Sequence, residues 1–330
     1  MTSQARARLA TGARWSALAV LIAAALLFPV VFTNPVLTNY GVFALIFVTA
    51  ASAWNVFSGF SGYISLGQAV FFGSGAYAVG IAARDWHVTG TGVFALLPLA
   101  AAVGAAIAVP FGLVALRVRR HTFIVITIAV FFIFQLMAFN FSFTGGSSGL
   151  PAPFLPWPAA TYNNPFYYIA LACAAGIITL SWLIRRARFG LHLRAIRDDE
   201  DRARGLGVRA MRVKLAAFTL SGAVTGLIGG VWFLYLTQVE PQTGFDPLFD
   251  LSIVLMAFLG GVGTIAGPVL GAIFLVVVLF VPRGIIPTGG EWIRRLTTRG
   301  RSALPVTEPA AEVKPELRDP ASSGPRGGAG

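Results

Sequence analysis

Charge is scarce in this chain: 12% of its 330 residues are Asp, Glu, Lys or Arg, where soluble domains average about 25%. A water-soluble domain so poor in charge could not cover its surface. Lysine is nearly missing, Lys214 and Lys314 being the only two. No G-x-x-x-x-G-K-S/T phosphate loop occurs either, so any ATP that drives this protein is bound by another chain. The single cysteine, Cys173, excludes an internal disulfide and reads as a small apolar filler. His87, His121 and His192 fall in loops or at the ends of apolar runs, and the run interiors offer no acidic, basic or histidine residue. That argues against a proton-driven antiporter, an intramembrane protease and a metalloenzyme, which need such groups inside the bilayer. No catalytic residue and no metal ligand is expected; the chain reads as no enzyme.

What is present is apolar: 56% of the residues are hydrophobic. A helix crossing the roughly 30 Å hydrocarbon core needs about 17 to 25 apolar residues. About eight such runs can be drawn: Trp15 to Phe32, Tyr40 to Ser58, Ser65 to Ala83, Val93 to Leu116, Thr122 to Phe141, Phe166 to Ile184, Leu215 to Leu236, and a glycine-broken stretch from Leu251 to Val281. The expected fold is an all-α polytopic membrane protein of about eight transmembrane helices, some broken or re-entrant at glycine-rich segments.

The net charge of +12 is distributed unevenly. Arg6, Arg8 and Arg14 precede the first run, Arg117, Arg119 and Arg120 follow the fourth, and Arg283, Arg294, Arg295 and Arg299 follow the last. The densest cluster is an island from Arg185 to Lys214 with ten basic and four acidic residues. Loops on the other side hold one basic residue, Arg84, beside Asp85. Basic loops stay on the cytoplasmic side, which predicts a multi-pass membrane protein with both termini cytoplasmic. The positive residues flank spans and do not form one face, so lipid and not nucleic acid explains the charge. Residues 1–14 are then a cytoplasmic segment, 15–284 the membrane domain with a cytoplasmic loop at 185–214, and 285–330 a cytoplasmic tail, rich in Pro, Ala and Gly, that is largely disordered.

Two glycine-rich passages interrupt the apolar runs. In Gly59 to Tyr77, reading GFSGYISLGQAVFFGSGAY, Gly62, Gly67, Gly73 and Gly75 permit close approach of helices, and Ser65 and Gln68 supply uncharged polar groups. The second, LGGVGTIAGPVLGA from Leu259 to Ala272, carries Gly260, Gly261, Gly263, Thr264, Gly267 and Pro268. Irregular backbone at membrane depth must be buried in protein or face water, so either passage is a candidate to line a translocation pathway. Small-residue helix packing is the other reading of the same glycines.

Together, GYISLGQAVFFGSGAY, the loop RFGLHLRAIRDDEDRARGLGVRAMRVKLAAF and LGGVGTIAGPVLGA resemble, from about Tyr40 to Ile285, the branched-chain amino acid ABC transporter permease family, specifically its LivM-like subunit. The resemblance implies a second homologous permease subunit, two cytoplasmic ABC ATPases that bind ATP and Mg, and a periplasmic or lipid-anchored substrate-binding protein as partners, with no cofactor in this chain. It further implies a coupling helix that docks on the ATPase, at Glu200, Ala203 and Gly207, and a pathway near the first passage, from Gly62 to Tyr77. The chain departs from the family pattern at Arg202, where a small residue is more usual, and by about one hairpin after GPVLGA. Leu251 to Val281 is therefore expected to make a single broken crossing. Leucine, isoleucine and valine are the implied solutes. Urea and short amides, or a passive small-solute channel, remain alternatives, and a secondary transporter fits poorly because no coupling residue is seen.

Overall fold

The computed structural model describes residues 23–32, 34–158 and 161–280. Helix α1 covers residues 23–31. Helix α2, Pro35–Trp54, starts where the Asn34 side chain accepts from Val36 N (3.0 Å) and Pro35 occupies the first turn; both are ordinary helix starts. It runs into a π-helical turn, Asn55–Gly59. From 62 to 67 the backbone is not helical, and α3, Gln68–Asp85, follows. The expected break in the first glycine passage is therefore present, and it is buried.

Helices α4 (Leu97–Ala115) and α5 (Arg120–Asn140) lead to β1 (Leu150–Pro151), and then to α6 (Asn163–Arg186). The charged island is helical: α7 (Arg188–Asp198) and α8 (Glu200–Gly205) bridge α6 to α9 (Ala210–Leu236). Asp199 ends α7 and caps α8, accepting from Asp201 N and Arg202 N, both at 3.0 Å. Strand β2 (Gln238–Val239) pairs antiparallel with β1, Leu150 opposite Val239. Helices α10 (Pro241–Gly244), α11 (Pro247–Gly260) and α12 (Gly267–Phe280) complete the described chain.

Helix α9 is the hub. Glycines let it approach its neighbours at backbone distance: a Cβ on Gly75 of α3 would stand 2.1 Å from Gly226 O, and one on Gly104 of α4 would stand 2.4 Å from Gly222 O. Toward its start, Phe218 packs its ring against Phe57, Phe71, Phe111 and Phe123, with centroids 4.8 to 6.0 Å away. Such ring pairs add to plain area burial.

Among the described residues six helices are long and apolar enough to cross a membrane, fewer than the eight runs drawn from sequence. The first run is described only from residue 23, where α1 begins. Helix α3 falls short in composition, because Gln68, Arg84, Asp85 and its Gly and Ser positions lower its hydropathy; most of it is buried. The stretch from Leu251 needs a correction too. It forms not one broken crossing but a hairpin in which α11 and α12 lie antiparallel, since a Cβ on Gly260 would meet Gly267 O at 1.7 Å and one on Gly271 would meet Met256 O at 1.8 Å. The tail from residue 281 lies outside the described residues.

Candidate functional site: a charged latch beneath the polar island

The island is tied to the broken segment at several points. Glu200, the first residue of α8, turns inward with its side chain 14% exposed. Its Oε1 accepts from Lys214 Nζ at 2.8 Å and from Arg204, and its Oε2 from the Tyr63 hydroxyl. Lys214 is 1% exposed, donates to Tyr63 Oη at 3.1 Å and to Leu116 O at 3.4 Å, and lies 4.2 Å over the Tyr63 ring. A buried ammonium is costly unless paired. Here it has a carboxylate, a phenol and a carbonyl. Arg120, at the start of α5, donates to Ile196 O (2.8 Å) and Arg197 O (2.7 Å), carbonyls in the last turn of α7, where a cation also complements the helix dipole. Arg197 in turn donates to Gly59 O at 2.8 Å.

The second glycine passage meets the same place. Asn55 donates to Thr264 O (2.7 Å) and accepts from Gly263 N (2.8 Å), so one side chain on the π turn fixes the α11–α12 turn. Gly261 and Gly263 have positive φ, +109° and +79°, which that turn requires. Thr264 Oγ1 closes it, donating to Gly261 O and accepting from Gly267 N. Pro268 sits buried in the first turn of α12.

Burial raises the Glu200 carboxyl pKa, but hydrogen bonds from Lys214 and Tyr63 and the charges of Lys214 and Arg204 outweigh it, so the group is held below the usual carboxylate range. A depressed pKa stabilises the fold above the unfolded value, about 4.3, and the contribution is lost as pH falls through the folded value below it. The stability gap between the wild type and Glu200→Gln is therefore expected to stay level down to pH about 5 and to narrow below about 4. A gap that widens on acidification, measured by thermal melting, would contradict this.

The pathway candidates of the first passage are mostly packed shut. Ser65 is fully buried, its N–H on Ser58 Oγ (3.2 Å) and its carbonyl accepting from Trp54 Nε1 (2.8 Å). Gln68 is bound on both sides by α9, donating to Ser221 and accepting from Thr225, each at 3.1 Å. Gly67 abuts Thr127 O, Gly73 abuts Gly244 and Phe245, and Gly75 abuts Gly226. Gly62, φ +73°, lies beneath Arg197. Tyr77 lines a cavity. Of the coupling candidates, Glu200 and Ala203 (2% exposed) face inward, and Gly207, φ +88°, is exposed.

Sequence reasoning passed over Tyr63, Arg120 and Arg197 as latch members, and it found no ionisable residue inside a span. Two are there. Lys214 is buried at the start of α9, and Asp250, 4% exposed, lies within the apolar stretch Pro241–Gly260. Asp250 Oδ1 accepts from Ala69 N at 2.9 Å at the start of α3. Asp250 was missed because it stands one residue before the apolar run that begins at Leu251, where it reads as a loop residue.

Six apolar helices, a buried break in the backbone and a polar helical island define a polytopic α-helical membrane protein. The chain belongs to the family described as branched-chain amino acid transport system, permease component, whose model matches residues 36–294. Among its relatives are the high-affinity branched-chain amino acid transport system permease proteins LivM of Salmonella typhimurium (strain LT2) and Escherichia coli (strain K12), each 28% identical over 306 residues, covering 82% of this chain and 70% of the relative. The autoinducer 2 import system permease protein LsrC of Klebsiella pneumoniae is 35% identical over 140 residues, 40% of each chain. No solved structure gives a significant match.

Proposed function

We propose that this chain is the transmembrane permease subunit of an ATP-driven importer of branched-chain amino acids in a bacterial inner membrane. It works beside a second permease, two cytoplasmic ATPases and a substrate-binding protein. The observation that carries the reading is the family match across residues 36–294 together with the connection of the island to the membrane interior through Glu200, Lys214 and Tyr63. In this reading the outer face of α8 and the residue that ends it meet the ATPase: Arg202, with its side chain 86% exposed, and Leu206, 85% exposed. Glu200 and Ala203 carry the motion inward. Arg202 replaces the usual small residue at that face, so the partner needs an acidic or roomy groove opposite it.

The test is reconstitution in liposomes with the co-purifying partners. Uptake of leucine, isoleucine or valine that needs ATP supports the proposal. Flux without ATP indicates a passive channel, and preference for urea or short amides moves the substrate assignment. Leu206→Asp should weaken ATPase docking by about 2 kcal/mol, as loss of an exposed apolar anchor does at an interface, and leave the protein folded in the membrane. Undiminished ATP-driven uptake by that variant would sink the docking face.

A further inference from the structure

A cavity of about 450 Å³ lies between α3, α4 and α5, away from the latch. It exists because α3 turns alanines toward α4 and α5, Ala78 and Ala82 among the lining residues. It follows α3 from Ser74 to Asp85, about 16 Å at 1.5 Å per residue. The wall is largely apolar, with Ile81 from α3 and Phe141 after α5 near its outer end.

Two polar features stand out there: Asp85, a lining residue with Arg84 beside it, and Tyr77. At the outer end, Asp85 Oδ1 pairs with Arg84 Nε at 2.8 Å, both side chains about half exposed, and Arg84 Nη1 donates to Phe143 O at 3.1 Å. A guanidinium has five N–H donors, and two are engaged here. Donors therefore remain for a carboxylate, and Asp85 keeps a second oxygen for an ammonium. Farther in, Tyr77 is 4% exposed, stacks on Phe245 at 5.9 Å, and its hydroxyl has no hydrogen-bond partner. A buried phenol hydroxyl normally finds one.

We infer that this cavity is an outer loading site for a zwitterionic solute with an aliphatic side chain. Its carboxylate is held by Arg84, its ammonium by Asp85, and its side chain lies against Ile81 and Phe141. The free hydroxyl of Tyr77 is the next polar contact on the way inward. One amino acid is much shorter than the cavity, so the solute can take the outer end and then advance. The inference rests on the import reading and adds to it a place and a basis for selection: urea and acetamide carry no pair of opposite charges for Arg84 and Asp85.

The experiment is cysteine protection, in right-side-out membrane vesicles of cells that express the full chain with its partners. Ala78→Cys in a Cys173→Ser background is labelled by a membrane-impermeant methanethiosulfonate. Leucine is expected to slow labelling several-fold, whereas leucinamide, which lacks the carboxylate, and isocaproate, which lacks the ammonium, do not. Arg84→Gln is expected to abolish protection by leucine, judged against the variant's own unprotected rate. Equal rates with and without leucine, or no labelling at all, would overturn the inference. Protection by a lysophospholipid but not by leucine would assign the cavity to lipid and overturn it too. The readout needs neither ATP nor uptake, so a failed transport assay and a failed binding assay remain separate results.

Discussion

Lys214→Met and Glu200→Ala, made singly, are each expected to destabilise the protein by about 3 kcal/mol, because breaking a buried ion pair leaves one charge without its partner. Lys214 is the more severe case of the two to strand: it is 1% exposed, and without Glu200 its ammonium keeps only the Tyr63 hydroxyl and Leu116 O. The double variant Glu200→Leu/Lys214→Met is expected to recover most of the loss, since replacing a buried pair by apolar residues of similar volume is often neutral. Thermal melting of detergent-solubilised protein measures this. Additive losses in the double variant would show that the two residues act independently. Uptake separates the roles: if the pair transmits motion as well as stabilising the fold, the double variant is folded and transports poorly.

Gly75→Ala is expected to prevent stable folding, although it adds one methyl group. That carbon would stand 2.1 Å from Gly226 O and 2.6 Å from Gly226 Cα, backbone atoms of α9 that cannot rotate aside. Moving the two helices apart would disturb the hub of the fold, and overpacking of this kind costs about 1 to 3 kcal/mol even where side chains can adjust. Gly176→Ala in α6 is the control, since nothing lies within 4 Å of its added Cβ. It is expected to be neutral or to stabilise slightly, as Ala is the better helix former by about 1 kcal/mol. Membrane-inserted yield and melting temperature distinguish the outcomes. Equal behaviour of the two variants would contradict the packing described at α3 and α9.

The apolar runs show where most helices lie, and the glycines of the first passage show where the backbone breaks, because 62–67 is indeed non-helical. What those glycines are for could not be read from the chain. A glycine that lines a pathway and one that lets two backbones touch look alike in sequence; in the structure Gly75 and Gly260 stand against the backbone at Gly226 and Gly267. The orientation of α8 was equally hidden. Glu200 in a charged loop reads as surface, yet its partners are Tyr63, 137 positions earlier, and Lys214, 14 positions later. The α11–α12 hairpin was missed because its length, 31 residues from Leu251 to Val281 at about 1.5 Å each, fits one broken crossing as readily as a tight return.

The attachments of α7 and α8 have a consequence in statics. Arg120 holds the end of α7 from the start of α5, Arg197 reaches the end of the π turn, and Glu200 is fixed to Tyr63 and to the start of α9. Three attachments within residues 196–200 tie the junction of the two short helices to three different elements, as the legs of a tripod tie its head. The short helix pair therefore has no free pivot, and a load applied to its outer face is divided among α5, the broken segment and α9 at once. Removing any one leg does not merely weaken the support: it creates a hinge about the line joining the other two.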